Sequence, residues 1–101
     1  MRRIELDGSG WQSPHDFYEA LASALDSVEW HGRNTDAFLE TMVYLTELNG
    51  VQPPYEVVIE HAALALRPFL QEFSSWLAKA RRDRREDPLW GDDVDVSVTV
   101  T

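Results

Sequence analysis

The chain has 101 residues, of which 44% are hydrophobic, 11% aromatic and 27% charged, the composition of one globular domain spanning 1–101. It contains no cysteine, which excludes disulfides, thiolate metal sites and thiol nucleophiles, and its 18 acidic against 9 basic residues give a net charge of −9, a field that opposes nucleic acid and anionic membrane and favours either a basic partner or mere solubility. Behind Met1-Arg2-Arg3 there is no apolar stretch, and no window is long enough to cross a bilayer, so the expected location is cytoplasmic.

Arg3-Ile4-Glu5-Leu6 alternates and stops at Asp7-Gly8-Ser9-Gly10, which predicts a short first strand and a turn. Ser13 as N-cap and Pro14 at the first helical position open a helix with Phe17, Leu21, Leu25 and Val28 on one stripe, ending near Ser27. After Glu29-Trp30-His31-Gly32-Arg33, Asn34 caps a second helix with Phe38, Met42 and Leu45 facing inward, expected to run to about Leu48. Asn49-Gly50 and Pro53-Pro54 break the chain before Tyr55-Glu56-Val57-Val58-Ile59, whose mostly apolar run fits a strand covered on both faces.

Ala62 to Leu66 is expected to form a short helical turn, counted as the third of four helical elements, before Pro68 opens the next one. There Phe69, Leu70, Phe73, Trp76, Leu77 and Ala80 recur with the strongest helical spacing in the chain, and Arg81, Arg82, Arg84 and Arg85 follow where cations suit the helix dipole. Asp92, Asp93 and Asp95 read as a solvated loop running into a last strand, in which Val94, Val96, Val98 and Val100 alternate with polar residues. Long helical crossovers between successive strands imply an α/β fold with a small, largely parallel sheet and right-handed connections.

Catalytic and metal motifs are missing. Gly8-Ser9-Gly10 lacks the spacing of a phosphate loop, His15, His31 and His61 are not spaced as metal pairs, and no serine sits in a nucleophile elbow, so neither an enzyme nor a cofactor or metal is expected. The informative feature is acidity. Residues 1–66 hold 11 acids and 3 bases, and Asn34 to Leu66 holds five acids with no Lys or Arg. Asp36 and Glu40 are like-charged i, i+4 neighbours on the second helix, an arrangement that costs a few tenths of a kcal/mol in isolation. With Val43 and Tyr44 they lie on or near the outward side. Trp30, just before the helix, is either a core residue or a large aromatic beside two carboxylates, a combination suited to a basic protein surface.

The stretch Trp30-His31-Gly32-Arg33-Asn34-Thr35-Asp36-Ala37-Phe38-Leu39-Glu40 resembles the barstar family of intracellular ribonuclease inhibitors, with support from Ile4-Glu5-Leu6-Asp7-Gly8, Pro54-Tyr55-Glu56-Val57-Val58-Ile59 and the valine-rich final strand. The resemblance implies a three-stranded parallel sheet with four helices and an inhibitor without catalysis. Its acidic helix and preceding loop would plug the active site of a small secreted microbial ribonuclease, as an immunity protein does. Partner contacts implied in this way fall at Trp30, His31, Gly32, Asn34, Thr35, Asp36, Leu39, Glu40, Val43 and Tyr44. His31 replaces a common aromatic ring of the family, Leu39 its tryptophan, and Glu40 its aspartate. The expected partner is a basic extracellular-type ribonuclease or related toxin domain, bound by a monomer without nucleic acid or membrane. The alternative is a barstar-like interaction module with a non-nuclease partner.

Overall fold

Tyr55–Glu60 forms β2, the middle of a three-stranded sheet, flanked in parallel by β1 (Arg2–Asp7) and β3 (Val96–Val100), in the computed structural model, which describes residues 1–101. Ile4 lies opposite Val57, and Val57 opposite Val98. A middle strand with covered faces must be apolar on both sides of its pleat, and Tyr55, Val57, Val58 and Ile59 are all buried, in line with their unbroken run. β3 starts two residues later than the alternation predicts, because the Val96 N–H turns back onto the Val94 carbonyl at 3.0 Å.

Two helices, α1 (Pro14–Leu25) and α2 (Thr35–Val43), and a 3-10 turn (Thr46–Leu48) connect β1 to β2, and α3 (Arg67–Glu86) connects β2 to β3. The fold therefore has three α-helices, a correction to the expected four. Ala62 to Leu66 makes only a turn, in which the Ala63 carbonyl accepts from both Leu66 and Arg67 before α3 begins. Five residues after a left-handed His61 (φ 64°) are too few to nucleate a separate helix.

α1 also stops earlier than its stripe suggests. Asp26 takes a left-handed conformation (φ 53°), its N–H bonding back to Ala22 and Ser23, and Val28 leaves the helical phase. The loop after α2 then packs against this end, with the Gly50 N–H on the Asp26 carbonyl at 2.8 Å. A side chain at Gly50 would collide with the Asp26 carboxylate, so only glycine permits the approach.

The core is built from the stripes of α1 and α3 against the sheet. Phe17 meets Phe73 edge-to-face at 5.0 Å, and Leu21, Leu25, Leu70 and Leu77 close around them. α2 packs on α3 at the margin of this core, which leaves its opposite face in solvent. No helix is long and apolar enough to cross a membrane.

Candidate protein-interaction face

The start of α2 is set locally. Asn34 sits in extended backbone and its side-chain carbonyl accepts the Ala37 N–H at 2.9 Å, the N-cap that its position predicts. Gly32 leaves room for this cap, since a side chain there would press on the Asn34 amide and on Ala37. Arg33 ties the loop down by donating to the His31 carbonyl at 2.7 Å and pairing with Glu19 of α1 at 3.2 Å. Thr35 shares a hydrogen bond with Tyr18 of α1 at 2.7 Å.

Trp30 and His31, adjacent in sequence, go opposite ways. Trp30 is 73% exposed, which settles its alternatives in favour of the surface. His31 is buried against Phe38, with ring centroids 4.5 Å apart. Its Nδ1 contacts the Gly32 carbonyl, and Nε2 lies 2.7 Å from Thr41 Oγ1. A carbonyl only accepts, so Nδ1 carries the proton, and in the neutral ring Nε2 accepts from the Thr41 hydroxyl. With both nitrogens occupied, His31 holds the loop onto α2 from beneath.

Asp36 and Glu40 form an exposed ridge along α2. Neither has an ion-pair partner within the chain. A groove runs along each side of the ridge. One, of about 370 Å³, lies between α2 and α3 and is lined by Asp36 and Leu39 facing Trp76, Lys79 and Asp83. The other, of about 250 Å³, lies between Trp30 and Gly32 on one wall and Leu45 and Leu48 on the other, with Glu40 at its edge. Lys79 is held by Asp83 at 3.1 Å, so the cation in the first groove is partly neutralised.

α2 ends at Val43, well short of the expected Leu48. Its last carbonyls are taken by distant donors: Asn49 Nδ2 reaches the Thr41 carbonyl at 3.3 Å, and Arg84 of α3 donates to the Val43 carbonyl. Tyr44 and Leu45 both turn their N–H groups onto Glu40, and the 3-10 turn follows. This early end changes the phase. Leu45, expected inside, is partly exposed, whereas Val43 is fully buried. Val43, read from sequence as lying on or near the outward side, is instead buried, and so is His31, while Trp30, Gly32, Asn34, Thr35, Asp36, Leu39, Glu40 and Tyr44 lie at or near the surface.

The C-terminal arginines, placed by the sequence where they suit the helix dipole, and the aspartates after them, read as a solvated loop, form one clamp. Arg84 pairs with Asp92 at 3.0 Å, and Arg81 pairs with Asp93 at 2.8 Å and Asp95 at 3.7 Å. Arg85 adds a second contact to Asp93 at 3.2 Å. These guanidinium groups hold the Asp92 and Asp93 carboxyls below the usual carboxylate range, chiefly through hydrogen bonds from Arg84 and Arg81. Arg84 also lies 4.5 Å over the Trp90 ring, and Trp90 meets Tyr44 edge-to-face at 5.5 Å. The i, i+3, i+4 spacing of Arg81, Arg84 and Arg85 is the sequence signal for one basic face, but the loop that it binds is named only by the fold.

No group of three or more His, Cys, Asp or Glu side chains is arranged to hold a metal ion. The site offers unpaired carboxylates, an exposed indole and two shallow grooves, which suits recognition of a cationic surface. No curated protein matches the chain. The family model described as Barstar (barnase inhibitor) matches residues 1–98, nearly the whole sequence, and the chain belongs to that family.

Proposed function

We propose that this protein inhibits a small, basic, secreted microbial ribonuclease by laying α2 and the loop before it across the enzyme's active site. The reading rests above all on Asp36 and Glu40, two exposed neighbouring acids without a partner inside the molecule. In the free protein they repel one another at i, i+4. Glu40 lies beyond the first turn, so the helix N-terminus gives it little support. A cleft lined with Arg, Lys and His would supply what the fold withholds, with the two carboxylates taking the places of substrate phosphates.

Trp30 supplies a large apolar surface beside those charges, the combination from which interface hot spots are made. A net charge of −9 would steer the approach of a basic enzyme. His31 and Thr41 contribute indirectly, by fixing the loop that carries Trp30 and Gly32. In this reading the protein acts by occupying a site and performs no chemistry itself.

The test is a titration of a panel of barnase-type secreted ribonucleases with the purified protein. At least one enzyme should be inhibited at one-to-one stoichiometry, with association slowing as salt is raised. Absence of inhibition and of binding across the panel would overturn the reading.

A further inference from the structure

We propose that the loop Asp87–Asp93 is a second arm of the partner-binding surface, in which Leu89 and Trp90 pack against the same basic ribonuclease that α2 engages. The proposal rests on the inhibitor reading and extends it to a region that reading does not use. Leu89 is 91% exposed and Trp90 44%, at the tip of a loop whose other side chains are mostly charged. A leucine so exposed contributes nothing to the core.

The loop is nevertheless pinned. Arg84 and Arg81 hold Asp92 and Asp93 with paired hydrogen bonds, the Leu89 N–H donates to Asp87 at 2.7 Å, and Arg84 underlies Trp90. An apolar tip fixed in this way loses little conformational freedom on binding, which is how pre-organised recognition loops gain affinity.

Its location continues the α2 face. Trp90 rests on Tyr44, the residue that closes α2 one turn beyond Glu40, while Trp30 stands before the other end of the same helix. A nine-residue helix is about 13 Å long. A standard interface covers about 800 Å² per partner, a patch roughly 30 Å across. A protein seated on Asp36 and Glu40 would therefore overlap both ends of α2, and the loop is what it meets at the C-terminal end.

Charge favours the same occupant. The arginines that face the loop, Arg81, Arg84 and Arg85, are spent on Asp92, Asp93 and the Val43 carbonyl, which leaves little free positive charge on that side to repel a basic surface. A second copy of this chain would instead bring together two molecules of net charge −9.

The experiment measures binding kinetics of wild type, Leu89→Ser, Trp90→Ala and Glu40→Ala against the ribonuclease from the panel that wild type binds most tightly. Leu89→Ser is the deciding variant, because Leu89 is exposed and its removal leaves the Arg84 stack intact; an unchanged melting temperature checks this. Leu89→Ser and Trp90→Ala should each raise Kd about tenfold, mainly through faster dissociation and with the salt dependence of association unchanged. Glu40→Ala should instead reduce that salt dependence. Wild-type kinetics for Leu89→Ser beside a weakened Glu40→Ala would overturn the second arm while leaving the α2 reading in place. A panel with no binding enzyme would overturn both. A concentration-dependent dimer of the free protein that Leu89→Ser abolishes would assign the loop to a second copy, and would overturn the proposal as well.

Discussion

Asp92, Asp93 and Asp95 each lie beside an arginine of α3, at 3.0, 2.8 and 3.7 Å, whereas Asp36 and Glu40 on α2 are exposed and form no ion pair, the nearby Lys79 being held by Asp83. Both clusters are short, acidic and close in the fold, since α2 packs on α3 and Arg84 spans from one to the other. The difference lies in what the acids answer to. Those of the C-terminal loop meet a demand inside the molecule: they neutralise a basic helix end and fix the loop against it. Those of α2 meet none, and their proximity even costs the helix a little. Charge number alone therefore says little about role, and pairing within the fold separates acids that hold the structure from acids left for a partner.

Removing the unpaired acids tests the outward half of this contrast, with the largest effect. Asp36→Ala and Glu40→Ala should each weaken ribonuclease binding by about 2 kcal/mol or more, measured by titration calorimetry, if their carboxylates are desolvated against cations. Stability should stay within roughly 0.5 kcal/mol of wild type, because relief of repulsion offsets whatever dipole support Asp36 loses. Unchanged binding with a lowered melting temperature would make these acids structural and erase the contrast.

Arg84→Ala tests the inward half. The side chain is only 12% exposed and serves the Val43 carbonyl, Asp92 and Trp90 together. Its loss should destabilise the fold by about 1–3 kcal/mol in urea unfolding, because a buried carbonyl at the end of α2 loses its donor. Arg84→Lys should recover only part, since an ammonium cannot reproduce the planar fork. A neutral result would reduce the clamp to an ordinary surface ion pair.

Acid sharpens the comparison by the smallest amount. Asp93 has its folded-state pKa depressed by Arg81, so its contribution is present above the usual carboxylate range and is lost as pH falls through the depressed value. Stability should therefore decline below about pH 4. Arg81→Met should flatten that decline. The effect is small because the Asp93 side chain is 40% exposed and solvent screens the pair. An identical acid profile for the variant would mean that other carboxylates govern unfolding at low pH.

Much of the fold was legible in the sequence because its causes are local. The apolar run of β2, the Asn34 cap and the spacing of Leu70, Phe73 and Leu77 on α3 all depend on neighbours within one or two turns or on simple alternation. So does the exposed pair Asp36 and Glu40, whose spacing alone puts both on one side of α2. What the sequence left open was settled by groups far apart along the chain. α2 stops at Val43, whose carbonyl is satisfied by a donor 41 positions away. Beyond that end Leu45 leaves the helical phase and is partly exposed, while packing on α3 widens the buried arc of α2 to take in Val43. His31 turned inward because Thr41 and Gly32 together satisfy both ring nitrogens, so Trp30 alone was left to face solvent. The arginine clamp belongs to the same class. Two runs of opposite charge each read as solvated on their own, and only the return of the chain into β3 brings Asp92 and Asp93 within hydrogen-bonding distance of α3, since periodicity reports which residues share a face but not what that face will meet.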